Sequence, residues 1–163
     1  LRIRAGRRHH RHRSPEGERR KGGTQNQAIG RSRGGLTTKI AALCDALGNL
    51  VRFVLLPVQR HDTIGASPLI EGIAFDALLG DRAFDADRLR AELDARGAAA
   101  AIPPKRNRKD PIDVDREMYR WRHLIENTFA RLKEVRAIAT RYDKTDISFA
   151  ANIHLAAALI ASR

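Results

Sequence analysis

The chain has 163 residues, 42% of them hydrophobic, enough for one domain with a real core. Its 31 Lys+Arg against 19 Asp+Glu leave a net charge of +12 and a pI near 11.1. This points to a polyanionic partner, nucleic acid first, although an anionic membrane or ribosomal RNA would suit the same number; aromatics at 5% argue against a base-stacking single-strand binder.

Residues 1–35 read as a basic, largely disordered arm. Arg7-Arg8-His9-His10-Arg11-His12-Arg13 has no apolar periodicity, and Gly22-Gly23 and Gly34-Gly35 add breakers. A solvated tail suits this run better than an ordered histidine metal site, because so many arginines repel a cation. The core is expected from 36 to 163. Leu36–Cys44 and Leu50–Pro57 read as a hairpin around the turn Asp45-Ala46-Leu47-Gly48-Asn49. Residues 62–73 can hold a helix capped by Asp62, or by Ser67 with Pro68 at its first position. Residues 75–80 form a short strand ending at Asp81, Asp85 caps a helix over 85–96 stopped by Gly97, and Ala98–Ile102 is a second strand. Strand, helix, strand makes a βαβ unit with parallel strands. Lys105-Arg106-Asn107-Arg108-Lys109 is a basic loop, after which Asp110-Pro111 starts a helix over 111–136. A last helix covers 147–161, with Asp146 able to cap it.

Charge is uneven along this order: +10 over residues 1–39, −3 over 40–102, +5 over 103–144 and zero over 145–163. Cys44, the single cysteine, excludes an intrachain disulfide and suits a reducing cytosol. The longest apolar run, Leu155–Ala161, is far too short to span a bilayer. No apolar stretch follows the basic N-terminus, so no secretory signal is expected.

Two acids are candidates for chemistry. Asp81 follows an apolar strand, and ligands of open α/β sheets sit beyond the carboxyl ends of strands; the bland alternative is an ordinary turn aspartate. Tyr119, Arg122, Glu126 and Lys133 follow helical spacing, with directions within roughly 60° of one another at about 100° per residue. Met118, Trp121, Ile125, Phe129 and Leu132 form the adjoining apolar stripe. Glu126 thus lies at the edge of a buried face, and the bland alternative is a surface Arg122–Glu126 pair. Together, Asp81 and Glu126 could grip Mg²⁺ beside a phosphodiester. Tyr119, Arg122 and Lys133 could bind phosphate oxygens nearby.

Tyr119-x2-Arg122-x3-Glu126-x6-Lys133 resembles, position for position, the YREK signature of DDE insertion-sequence transposases. Ala28–Lys39, Asp81–Asp85, Tyr119–Asn127 and Arg136–Lys144 are similar to the IS-five branch of that family, so the resemblance spans about 21–162. It implies an α/β, RNase-H-like mixed sheet flanked by helices. It implies Asp81 and Glu126 as the second and third acids of a triad, with Mg²⁺ (or Mn²⁺) as cofactor. Double-stranded DNA, both transposon ends and target, is the implied partner, met by Tyr119, Arg122 and Lys133. The loop residues Lys105, Arg106, Arg108 and Lys109 are further DNA-contact candidates, by charge. A homodimer in a synaptic complex and a cytoplasmic, nucleoid-associated location also follow.

The family's first acid lies in a strand ahead of the glycine-rich stretch, within a pattern like Asp-x-Thr-Ile-Val. Residues 1–20 contain no Asp, and Asp45 and Asp62 come too late. The family's amino-terminal helical domain is likewise expected to be missing. Arg7-Arg8-His9-His10-Arg11 can be encoded so that reading one base later spells Asp-Ala-Thr-Ile-Val. The expectation is therefore a frameshift fragment whose sheet lacks its first strand, leaving Leu36–Cys44 with an unpaired edge. Such a chain would be inactive or incomplete alone; the alternatives are a non-catalytic DNA-binding relic and a ribonuclease-H-like nuclease with another task.

Overall fold

A computed structural model describes residues 3–6, 27–32, 35–110 and 112–162. Among the described residues, six strands and six α-helices follow one another in an α/β chain: β1 (Ile3–Gly6), β2 (Gly30–Ser32), β3 (Gly35–Cys44), β4 (Leu50–Pro57), α1 (Ala66–Ile70), β5 (Ala77–Leu79), α2 (Asp87–Ala95), β6 (Ala99–Ala101), α3 (Arg116–Arg120), α4 (His123–Glu134), α5 (Arg136–Thr140) and α6 (Asp146–Ala161). Contacts group them into two compact units. One comprises Ala41–Val54 and His61–Thr128; the other draws on Ile3–Ile40, Leu55–Arg60 and Phe129–Arg163.

The expected βαβ unit forms in the first. β5 and β6 pair in parallel, Leu78 opposite Ala100, joined by α2, which lays Leu89 and Leu93 into the core. Leu69, Ile70, Leu78, Phe84 and Ile102 complete that core. Gly97 ends α2 with φ +69. Its N–H bonds the Asp94 carbonyl at 2.9 Å, and the Ala98 N–H bonds that of Leu93 at 2.9 Å, a Schellman stop that turns the chain directly into β6. The β3–β4 turn is where the sequence places it: the Asp45 carboxylate accepts from the Leu47 and Asn49 N–H groups at 2.9 and 2.8 Å, and Gly48 takes φ +84.

The second unit packs Phe129, Leu132, Ile138, Phe149 and Ile153. Here β3 is flanked by antiparallel partners, Gly30–Ser32 against Gly35–Thr37 and Ile3–Gly6 against Thr37–Ile40. The unpaired edge expected on Leu36–Cys44 is therefore corrected over Thr37–Ile40. The segment Ile3-Arg4-Ala5-Gly6 alternates as a strand should, but the neighbouring arginines hide that pattern. Two strands thus lie within the stretch 1–35 read as an arm. The expectation that no packed strand forms over 7–13 concerns residues outside those described.

Three further boundaries differ. The helix expected over 111–136 is two helices, α3 and α4, with α5 starting where it should end and Pro111 outside the described residues. Asp115 caps α3 by accepting from Met118 N–H. The chain then tightens through Trp121 N–H to Met118 O and Arg122 N–H to Tyr119 O, and Val135 turns extended between α4 and α5. Asp85 does not cap α2, whose N-cap is Ala86. Thr145, not Asp146, caps α6, its side chain accepting from Ser148 N–H.

Candidate active site and nucleic-acid contacts

Asp81 lies just beyond the carboxyl end of β5, half-buried, and caps the short 3-10 turn Arg82–Phe84; its Oδ1 accepts from Ala83 N–H at 2.8 Å. Gly80 before it packs against Ile102 and Phe84, and a Cβ there would make ordinary contacts, 3.4 Å to Ile102 Cγ1 and 3.5 Å to Phe84 Cβ.

Glu126 sits in the first turn of α4. It meets Arg122 at 2.8 Å, with side chains 53% and 33% exposed, a pair that contributes little to stability at such exposure. The Arg122 guanidinium in turn lies 5.4 Å from the Tyr119 ring centroid. Tyr119, Arg122 and Glu126 thus form one connected group at the α3–α4 junction. Lys133 lies two turns along α4 from Glu126 and is exposed. Asp81 is not joined to this group: among the described residues it shares no hydrogen bond or ion pair with Glu126. Nor do three or more His, Cys, Asp or Glu among those residues cluster so that they could hold a metal ion.

The basic loop is organised by Asp85, which sequence reasoning took for a helix cap. Its buried carboxylate accepts from Lys105 N–H at 2.7 Å, Arg90 Nε at 2.8 Å and Arg108 Nε and Nη2 at 3.0 and 2.9 Å. Burial works against its charge, but the bonds from Arg108, the Lys105 N–H and Arg90 outweigh it and hold the carboxyl well below the usual carboxylate range. Arg108 also meets Asp87 at 2.6 Å, and the hydrogen bonds it donates to both carboxylates hold its guanidinium in the charged form. Arg108 therefore anchors the loop, while Lys105, Arg106 and Lys109 are exposed. The missed signal is an acid followed, 20 residues on, by a basic loop.

The glycine-rich and Arg136–Lys144 stretches are tied together in the second unit. The Thr38 hydroxyl donates to Ala28 O at 2.6 Å; Asp146 Oδ2 accepts from Ala28 N–H at 2.6 Å, and its own N–H donates to Gln27 Oε1 at 2.6 Å. Arg141, in the left-handed region at φ +41, bonds Thr38 Oγ1 and Asp146 Oδ1 at 2.6 Å and lies 4.7 Å from the Phe149 ring centroid. Beside this network lies an open cavity of about 210 Å³, lined in part by Leu36, Thr37, Arg141 and Lys144.

Among the described residues no helix is long and apolar enough to cross a membrane. No solved structure gives a significant match to the chain. The model of the Transposase DDE domain matches residues 78–162, which takes in Asp81, Asp85, the basic loop and the residues Tyr119 to Lys133. The chain is also 37% identical over 127 residues to the "Putative transposase for insertion sequence element IS6501" of Brucella ovis, covering 77% of this chain and 98% of that relative. The chain belongs to the DDE-domain transposase family.

Proposed function

We propose that this chain is the later portion of an RNase-H-like transposase core of the IS-five branch, acting on double-stranded DNA at insertion-sequence ends. The observation that carries the reading is the linked Tyr119–Arg122–Glu126 group at the α3–α4 junction, inside the stretch that matches the family. Asp81 at the carboxyl end of a parallel strand supports it, because acids placed there serve ligands in open α/β sheets. Tyr119, Arg122 and Lys133 contact the backbone of the transposon end. Lys105, Arg106 and Lys109 extend that contact from a loop whose position Arg108 fixes. The partner places the chain in the cytoplasm with the nucleoid, and pairing of DNA ends calls for two copies.

Carboxylate oxygens suit Mg²⁺ or Mn²⁺, and Asp81 and Glu126 are the residues to offer them. The Asp-x-Thr-Ile-Val pattern expected to carry the family's first acid does not occur in the sequence. The chain alone therefore binds DNA without cutting it. A relic that keeps only the DNA contacts fits the same observation, and one experiment separates the two. Duplex carrying the terminal repeats of the flanking element is incubated with Mg²⁺ and this chain, with and without the product of the upstream frame. No cleavage alone, and cleavage on addition of the upstream product that Asp81→Ala and Glu126→Ala abolish, is the expected result. No cleavage in either case establishes the relic. Cleavage by the chain alone, lost on the same substitutions, overturns the incomplete site. The nucleotide sequence bears on this independently: one of the two alternative frames over codons 5–13 should spell an Asp-x-Thr-Ile-Val pattern.

A further inference from the structure

The open cavity of about 210 Å³ in the second unit has walls of three kinds. Ile29 and Leu36 are apolar, and Leu36 is 42% exposed. Arg141 lines it although the residue is only 5% exposed. Lys144, exposed, and Asp143, half-buried, bring one charge of each sign. The volume is below the roughly 300–1,000 Å³ of sites for drug-sized ligands, so the cavity suits one small ring system and not a duplex.

Arg141 fixes the chemistry of that ring. Its backbone stands in the left-handed region at φ +41, at a helix end where glycine is the usual residue, so the position is held for its side chain. The nitrogens are engaged: Nη1 donates to Thr38 Oγ1, Nη2 to Asp146 Oδ1 at 2.6 Å and Nε to Asp143 O at 3.4 Å. The guanidinium carbon also lies 4.7 Å from the Phe149 ring centroid, which clamps the group in place. A phosphate binds arginine through paired N–H groups, and here those groups already serve the protein. A ligand therefore meets the guanidinium through its plane, and such planes stack on unpaired nucleic-acid bases.

We propose that this cavity takes a single unpaired nucleotide, its base on the Arg141 plane and against Leu36 and Ile29, its phosphate on Lys144. Inside a duplex both faces of a base are covered by its neighbours, so the nucleotide must stand outside the stack. A bare phosphate is a poor occupant, because the Asp143 carboxylate lies in the same wall and repels it. The contact is separate from those of Tyr119, Arg122, Lys133 and the basic loop. It deepens the DNA reading and rests on that reading only for where the nucleotide comes from, a DNA end or the free pool.

Calorimetric titration of the whole chain with deoxyadenosine monophosphate should give an affinity about tenfold above that for deoxyribose phosphate, which has the phosphate but no base. Saturation-transfer NMR should place the base protons closest to the protein. Lys144→Ala should weaken nucleotide binding severalfold and keep the preference for a base, whereas Leu36→Glu should abolish the preference. Both positions are exposed, and circular dichroism checks that the fold is kept; Arg141 is left alone because its bonds to Thr38 and Asp146 hold the unit together. Anisotropy with a blunt duplex, and with the same duplex carrying one unpaired terminal nucleotide, then separates the sources. Tighter binding of the second, lost in Leu36→Glu, identifies a DNA end; equal binding of the two, with the base preference intact, identifies a free nucleotide, and either result upholds the site. Deoxyribose phosphate binding as well as the nucleotide, or nucleotide binding indifferent to both substitutions, overturns the proposal. Failure of both duplexes to bind overturns the DNA reading and leaves the nucleotide site standing.

Discussion

A buried carboxylate surrounded by two guanidinium groups and a backbone N–H is costly to disturb from either side. Replacing Asp85 leaves Arg90 and Arg108, only 16% and 17% exposed, without their shared counter-charge, and truncating one partner of such a buried set costs about 3–5 kcal/mol. Asp85→Ala should therefore lower the unfolding free energy by about 3 kcal/mol at neutral pH. Because the folded state holds the Asp85 carboxyl below its unfolded value, the stabilisation is fully present above the unfolded pKa of about 3.9 and is lost as pH falls from there through the folded value. Urea unfolding of the native chain and of Asp85→Ala should give curves that converge on acidification below pH of about 4; a gap independent of pH would mean that packing, not charge, is what Asp85 supplies. This residue also marks where sequence reading stops at the single-residue scale. The place of Asp81 at the end of a strand was legible because its environment is local, an apolar run just before it. Arg122–Glu126 was legible as an i,i+4 pair, and it forms. Asp85 was misread because its decisive partners, Lys105 and Arg108, lie 20 and 23 residues away.

Elements whose signals are local came out close to expectation. β4 coincides with the apolar run 50–57, and β3 differs by one residue, because alternation, β-branching and the Asp45 turn all agree. The long helix did not, because its breaks are written in no glycine or proline: the chain tightens at Trp121 and extends at Val135, and neither type is a helix breaker. The Tyr119 ring and Arg122 still meet at the α3–α4 junction, as i,i+3 neighbours would along an unbroken helix. Gly97 is a local signal of the other kind, and it can be tested alone. A Cβ added there meets nothing within 4 Å, so Gly97→Ala has no steric conflict with neighbours and isolates the cost of a left-handed backbone, about 1–2 kcal/mol. Denaturant unfolding should show a loss of about 1 kcal/mol. A neutral or stabilising result would show that the α2–β6 connection relaxes and that the glycine is not what ends α2.

At the scale of the whole molecule, the strands fall into an antiparallel set on β3 and a separate parallel β5–β6 pair. The α/β class was legible from the strand–helix–strand order, but β1 was not, since four residues beside a run of arginines resemble a tail more than a strand. That correction changes how the basic amino-terminus can be probed. Deleting residues 1–35 would remove β1 and β2, both of which pair with β3, so weaker DNA binding after such a deletion would report unfolding as much as lost charge. Substituting glutamine for Arg7, Arg8, Arg11 and Arg13 removes four charges and leaves both strands intact. If these arginines lie on phosphates, each contact released lowers the slope of log affinity against log salt by roughly 0.9, so the four together should lower it by up to about 3.6. Anisotropy titrations of a short duplex over a salt series measure that slope directly, and circular dichroism on the same samples reports whether the fold is kept. A slope unchanged by the four substitutions, with the fold kept, would place the DNA contacts entirely elsewhere. The exposed bases Lys105, Arg106, Lys109 and Lys133 would then be the next set to neutralise, because they lie within the stretch that matches the family.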